Sequence, residues 1–426
     1  MENLTEQQKL ESRKLHPVSP FIYRLLGKVV VNGVLAKKYN AHFTYVDDVA
    51  KYRGQSYIVV SNHASRMDYV FTAPAFLPDT FNFVVGYNEF FRSHLAMILR
   101  MMQVVPKKNF VHQPYAIRQI IKIIRSGGRI ILLPEGMSSI SGANQPCALG
   151  SGHLLKSLGV PVLYTKIAGG YLTAPKYNLE DRLGRVDIEA GVLFTPEQLR
   201  EMNADEIQRA LDEKLYHDDY EWNKTARVKF GGKGRMAENM HQLLFWCPKC
   251  GGELTMESCG DSIRCKKCGN GGHLNEYYDL IPDAGSELPE TPRVWFDMQR
   301  EHVRSLVRSE GFKLTEQVQI GELPRHGYLK NQATSELVGD GTLTLDAEGL
   351  HFEGKRRGSG YSFFVPIKQL PTYGMCTDVS RFYTFVDGEF TEFYPERDSA
   401  ELWMLATEEM HRAQGGLWQD FPWKQN

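Results

Sequence analysis

Residues 57–68, YIVVSNHASRMD, carry an apolar, β-branched run straight into a polar loop. Tyr57 to Val60 reads as a short buried strand, because β-branched and aromatic side chains suit a pleated surface covered by other elements. The run delivers Asn62-His63 onto the loop, and Asp68 follows His63 by five positions. A strand end that presents a His with a carboxylate within folding-back distance is how a general base is built. The carboxylate accepts the proton on one imidazole nitrogen and leaves the other free to take a proton from a hydroxyl. His63 and Asp68 are therefore the candidate catalytic pair.

About seventy residues later a second run, Arg129-Ile-Ile-Leu-Leu133, ends at Pro134-Glu135-Gly136. An amphipathic helical stretch, Ile117 to Arg125, and a Ser126-Gly127-Gly128 turn precede it. A third strand, Val162 to Lys166, follows Gly159-Val160-Pro161. The order Asn-His-x4-Asp, Pro-Glu-Gly, Val-Pro-strand resembles the glycerolipid acyltransferase family, typified by 1-acylglycerol-3-phosphate acyltransferases. The resemblance covers roughly residues 20–230. It implies an α/β domain over residues 1–235, with a mixed sheet flanked by helices.

The same resemblance implies a reaction. His63 is the general base for a lysophospholipid hydroxyl, by default that of 1-acylglycerol-3-phosphate. The hydroxyl attacks the thioester of an acyl-CoA or acyl-carrier protein, and no acyl-enzyme forms. Asp68 orients the ring and stabilises the imidazolium. Asn62 and Ser65 either support the loop and the oxyanion or form the turn. A phosphorylated acceptor needs cationic donors, and Lys107 or Lys108 matches the family's first basic position. The family's Thr-Arg-Ser after Pro134-Glu135-Gly136 reads Met137-Ser138-Ser139 here, so the second cation is missing. Pro134, Gly136 and Ser138 remain candidates for acceptor binding. Glu135 holds either the acceptor hydroxyl or the loop geometry. Gly150-Ser151-Gly152 opens a short helix from about His153 to Leu158, by way of a turn or an anion-binding helix start.

Composition narrows the class. With 426 residues the chain is long enough for two or three domains, and 50 basic against 51 acidic side chains argue against nucleic acid as a partner. No apolar run reaches the roughly 18 residues that span a bilayer, and the N-terminus carries no apolar signal core. The chain is expected in the cytoplasm, peripherally associated with the inner face of the membrane. Phe21 to Ala36, with Arg24 and Lys28, reads as a basic amphipathic helix resting on an anionic surface or packed on its own domain. Phe90 to Met102 reads as a helix that lines an acyl groove or meets lipid, or else fills the core.

Five of the seven cysteines fall between Cys247 and Cys268. Cys247-Pro-Lys-Cys250 and Cys265-Lys-Lys-Cys268 are two knuckles fourteen residues apart, with Cys259 left over. Four thiolates in that spacing suit a structural Zn²⁺ in a small four-cysteine zinc ribbon over residues 240–285. A helical linker over residues 286–311 follows, with a partial stripe in Pro292 to Val307. Residues 312–426 alternate in short runs: 342–345, 350–352, 363–365, 382–386 and 389–394. Asp340-Gly341 and Asp387-Gly388 read as turns, and Asp398-Ser-Ala-Glu401 as a capping box for a last helix. This C-terminal β-rich module closed by a helix resembles a pleckstrin-homology-like domain. Its Lys355-Arg356-Arg357 is expected in a loop, either solvated or facing lipid phosphates. A reading from another class is a non-catalytic lipid-binding or scaffold protein that keeps the acyltransferase fold.

Overall fold

The computed structural model describes residues 4–25, 35–111, 114–330 and 333–417. Most of the Phe21–Ala36 stretch lies outside them. Seven strands form the first sheet: β1 Ala41–Tyr45, β2 Ile58–Ser61, β3 Asn82–Gly86, β4 Val105–Lys107, β5 Ile130–Leu132, β6 Val162–Ala168 and β7 Val186–Phe194. Their order is β1-β7-β6-β2-β5-β3-β4. From β6 to β4 the strands run parallel, whereas β7 is antiparallel to β6 and β1 is parallel to β7. The sheet is mixed and has helices on it, as the sequence suggests.

Both faces are covered, which explains the unbroken apolar run in β2. Ile58 and Val60 join Ile120, Ile124, Leu155, Ile207 and Leu211 on one side. Tyr57 and Val59 join Phe76, Phe81, Ile131 and Leu163 on the other. The alternation is that of any strand, with two buried destinations. The helix Pro114–Arg125 buries Ala116, Ile120, Ile123 and Ile124, starting three residues before the apolar stripe seen in the sequence. Because β2, β5 and β6 are parallel neighbours, their carboxyl ends meet at one edge of the sheet. That edge is where open α/β sheets bind ligands.

A small antiparallel sheet follows, ordered β11-β10-β9-β8, from β8 Met256–Cys259, β9 Ser262–Cys265, β10 Gly271–Leu274 and β11 Leu280–Pro282. The last sheet comprises β12 Leu314–Glu322, β13 Glu336–Leu345, β14 Gly349–Arg356, β15 Ser359–Pro366, β16 Gly374–Met375, β17 Phe382–Val386 and β18 Glu389–Pro395. It is antiparallel throughout, ordered β15-β14-β13-β12-β18-β17-β16. The helix Ala400–Ala413 lies on it, with Trp403 stacked on Phe382. Its other side meets the helix Pro292–Val307, where Arg300 donates to Glu408 at 2.6 Å and Arg304 to Glu409 at 2.7 Å.

Three local expectations fail. Asp340-Gly341 is not a turn: both residues sit inside β13, bonded to β12 and β14. Lys355 and Arg356 belong to β14 rather than a loop, and Arg356 and Arg357 pair with Glu322. The expected Asp398–Glu401 capping box does not form: the helix starts one residue later, after Ser399, which makes no side-chain cap bond and donates its hydroxyl to Glu316 at 2.7 Å. Asp387-Gly388 does turn the β17–β18 hairpin, both residues having positive φ.

The C-terminal sheet is not a detached appendage. Phe90 and Phe91 share a core with Tyr383, Phe385 and Phe390. Leu329 N–H donates to the Phe91 carbonyl at 2.8 Å, and Ser93 N–H to the Leu329 carbonyl at 3.0 Å. Phe90 to Met102 is thus a short 3₁₀ turn buried against the module, then a helix, Ser93–Met101, whose Met97 is 74% exposed.

Candidate functional site

Asn62 fastens the end of β2 to β6. Its side chain donates to the Ile167 carbonyl at 2.9 Å and accepts the Ile167 N–H at 2.7 Å. Both ends are used on backbone, which fixes the His63 loop to β6. His63 follows with its backbone clamped on both sides. Its N–H donates to Glu135 Oε1 at 2.6 Å, and its carbonyl accepts the Ser139 N–H at 2.7 Å. The Pro134-Glu135-Gly136 strand end therefore holds the His63 loop from the neighbouring strand.

His63 Nδ1 lies 2.7 Å from Asp68 Oδ2. Asp68 Oδ1 accepts the Ser65 N–H at 2.9 Å and its hydroxyl at 3.3 Å. The carboxyl is only 2% exposed, and that burial raises its pKa against the opposing bonds from His63 and Ser65. An acceptor at Nδ1 fixes the Nδ1–H tautomer and leaves Nε2 as a proton acceptor. Ser65 thus holds Asp68, and its hydroxyl accepts the Met67 N–H at 3.1 Å.

Glu135 is fully buried, and its second oxygen accepts the Gln145 N–H at 2.9 Å. Its two oxygens thus hold the backbones of the His63 loop and of Gln145. Burial pushes its carboxyl up to about 8, against the two amide donors. Gly136 has φ +83, a left-handed conformation that favours glycine. Because the folded-state value exceeds the ordinary one, the stability linked to Glu135 is present below the ordinary carboxylate range and is lost as pH rises through about 8. Wild type should therefore lose roughly 2–5 kcal/mol relative to Glu135→Gln between pH 5 and pH 8. Urea unfolding of both proteins across that range is the measurement. A constant difference would show that Glu135 is ionised throughout.

His63 and Asp68 line a cavity of about 1430 Å³. Leu95, Leu99 and Met102 form one apolar wall, and Ile117, Ile120 and Leu154 another. Near Gly136 the cavity is lined by the Phe110 ring and by Lys107, whose ammonium makes no hydrogen bond among the described residues and whose pKa burial lowers. Lys108 is differently engaged, donating to the Gly388 carbonyl at 2.9 Å and pairing with Glu11 at 2.9 Å. It ties the module to the first domain.

Ser138 receives a hydrogen bond from Lys176 Nζ at 3.2 Å. Lys176 is buried, so its pKa is lowered, and it lines the cavity. A cation thus stands beside the tripeptide that lacks one of its own. Lys176 lies 38 residues beyond Ser138 and belongs to no motif, so local sequence carried no signal for it. Gly152 has a packing reason: a Cβ there would lie 2.1 Å from the Ala204 carbonyl oxygen. Its amide donates to Gln208 at 3.0 Å and is not open to an anion.

The four knuckle cysteines converge. All their sulfur atoms lie within 4.8 Å of one another, with Cys247–Cys268 at 3.6 Å and Cys250–Cys265 at 3.8 Å. Four thiolates at about 2.3 Å from one Zn²⁺ would sit roughly 3.8 Å apart, so the donor set fits. Gly251 and Gly269, both at positive φ, close matching turns by donating to the Cys247 and Cys265 carbonyls at 2.9 Å. Cys259 is exposed and outside the cluster.

Residues 42–165 match the family model described as Acyltransferase. Among solved structures, the chain is similar to the 1-acyl-sn-glycerophosphate (LPA) acyltransferase from Thermotoga maritima. The identity is 21% and the TM-score 0.38, over 46% of this chain and 76% of that one. No helix among the described residues is long and apolar enough to cross a membrane.

Proposed function

We propose that this chain transfers a fatty acyl group from acyl-CoA or acyl-carrier protein to the hydroxyl of a lysophospholipid, by default 1-acylglycerol-3-phosphate. The observation that carries the reading is the His63–Asp68 contact at 2.7 Å on the wall of a large, mainly apolar cavity. His63 Nε2 takes the proton from the acceptor hydroxyl as its oxygen attacks the thioester carbon. The tetrahedral intermediate then collapses, and the thiolate leaves with a proton returned from the imidazolium. Asp68 holds the ring and balances its transient charge. Lys107 meets the acceptor phosphate, and the apolar walls take an acyl chain.

Lys176, a basic residue beside Ser138, weighs against the scaffold alternative. A membrane-surface location agrees with the exposed Ile98, Ile117 and Leu149 on the cavity wall. The Cys247, Cys250, Cys265 and Cys268 cluster holds a structural Zn²⁺ in this reading, with no position left open for water.

Purified protein incubated with labelled acyl-CoA or acyl-carrier protein and a panel of lysolipids tests the proposal. Transfer to a lysophospholipid is expected. No transfer from either donor to any acceptor would leave the scaffold reading. Co-sedimentation with anionic vesicles tests the surface location independently, and protein that stays in the supernatant would reject it.

A further inference from the structure

The Phe90–Met102 stretch faces three ways. Phe90 and Phe91 are core, and Leu95 and Leu99 line the cavity. Met97 and Met101, on the helix Ser93–Met101, point outward and off the cavity. Ile98 is both exposed and on the cavity wall, as are Leu149 and Ile117 of the helix Pro114–Arg125. These three mark the rim, and Met97 and Met101 carry its apolar surface outward. Elsewhere the wall includes the β16–β17 turn of the C-terminal sheet. One short segment joins the two helices. Arg13 Nη2 donates to the Arg100 carbonyl at 2.8 Å, the Tyr115 hydroxyl donates to the Arg13 carbonyl at 3.1 Å, and Leu15 N–H donates to Gln119 at 3.2 Å.

Charge on this face has one sign. Residues 90–178 hold eleven Lys and Arg and a single acid, Glu135, whereas the whole chain holds 50 and 51. Glu135 is fully buried. Of the acids from neighbouring segments, Glu6 pairs with Arg100 at 3.3 Å, Glu11 with Lys108 at 2.9 Å and Glu89 with Arg92 at 3.3 Å. Arg118, Lys122 and Arg125 recur at helical spacing along Pro114–Arg125, all exposed and none in a hydrogen bond or ion pair among the described residues. Lys14, on the joining segment, is exposed as well. Outward apolar side chains flanked by unpaired cations fit an anionic lipid surface, which takes both.

We propose that the face formed by the helices Ser93–Met101 and Pro114–Arg125 seats the rim of the cavity on an anionic bilayer. Met97 and Met101 enter the acyl boundary, and Arg118, Lys122 and Arg125 meet headgroups. The lysolipid then reaches the cavity from the lipid phase. That use of the face rests on the acyl-transfer reading, whereas the contact itself rests on exposure and charge.

The test is co-sedimentation of the full-length protein with vesicles of phosphatidylcholine, alone or mixed with phosphatidylglycerol. Wild type should bind the mixed vesicles and be released by raised salt. Arg118→Gln, Lys122→Gln and Arg125→Gln together should weaken binding roughly 100-fold, at about fivefold per charge. Met97→Ser with Met101→Ser should weaken it roughly 10–100-fold. Lys355→Gln, in the C-terminal module, should change nothing. All five substituted side chains are exposed, so both multiple variants should melt like wild type. They should acylate vesicle-borne lysolipid more slowly, and a short-chain lysolipid free in solution at the wild-type rate. Wild type that ignores mixed vesicles, or variants that bind like wild type, overturn the proposal, as does loss confined to Lys355→Gln. If the charge variant keeps vesicle binding and loses only transfer from acyl-carrier protein, the partner is an acidic protein and the lipid assignment falls. A dimer that the methionine variant reduces to monomer, with vesicle binding unchanged, assigns the face to a second copy and also overturns it. Vesicle binding through these residues without transfer to any acceptor would reject the acyl-transfer reading and keep the docking face. Transfer without vesicle binding would do the reverse.

Discussion

His63→Ala should lower the rate of acyl transfer by a factor on the order of 10²–10⁴ and leave the protein folded. The imidazole is the candidate base, whereas the residue's structural bonds are made by its backbone. The N–H to Glu135 and the carbonyl to Ser139 survive truncation, so the loop stays in place. Asp68 loses its ring partner but keeps two donors from Ser65. Removing one bond from a buried carboxyl costs roughly 1–3 kcal/mol, most of which its protonation would relieve. The melting temperature should therefore fall by a few degrees at most.

Asp68→Asn should be nearly as damaging through the wrong tautomer, and the double variant little worse than either, because the two side chains act as a unit. Initial rates with a labelled thioester, alongside thermal melts, are the measurement. Full activity in folded His63→Ala protein would remove His63 from the mechanism. Additive losses in the double variant would separate Asp68 from it.

The parts legible in the sequence were those whose physics is local. A β-branched run, a polar loop and a glycine at positive φ announce themselves within a few residues, so β2, β5 and the two loops between which His63 is held were readable. The cysteine knuckles were readable for the same reason, since each turn is closed by its own backbone. What escaped depends on partners distant in sequence. Lys176 reaches Ser138 across the sheet edge, and no spacing rule links them. Glu135 is a polar residue at a strand end, and only its two amide donors reveal a structural carboxyl.

The module misled in both directions. Asp340-Gly341 has the composition of a turn, yet pairs on both sides within β13. A Cβ on Gly341 would sit 2.5 Å from the Glu353 carbonyl oxygen, so the glycine answers to a close strand. Its neighbour β12, whose Val318 and Ile320 alternate inward, was not singled out, because Glu316 at a buried position breaks the pattern. That carboxylate is satisfied by Arg397, Ser399 and the Trp403 indole. The same bond engages the hydroxyl of Ser399, the residue that precedes the last helix in place of the expected Asp398 cap.

Removing the metal from the Cys247, Cys250, Cys265 and Cys268 cluster should unfold the small sheet and abolish acyl transfer, although the cluster is no part of the site. A four-strand unit of this size has little core of its own, and structural Zn²⁺ sites supply roughly 10–16 kcal/mol, comparable with a whole domain's stability. The effect should travel along identified contacts. Tyr278 donates to the Leu172 carbonyl at 2.6 Å and accepts from Arg182 at 2.8 Å, tying the unit to the first domain. On the other side the Trp246 carbonyl accepts the Trp295 indole N–H at 2.8 Å, and Trp295 lies in the helix that pairs with Ala400–Ala413. The unit thus sits between the first sheet and the module whose β16–β17 turn walls the cavity. Chelation, or Cys247→Ser, should lower the melting temperature by ten degrees or more and remove activity, with one zinc per chain in the untreated protein. Cys259→Ser should change neither. Metal-free protein that melts and turns over like the untreated sample would show that the four thiols need no ion, and that the module keeps its seat without them.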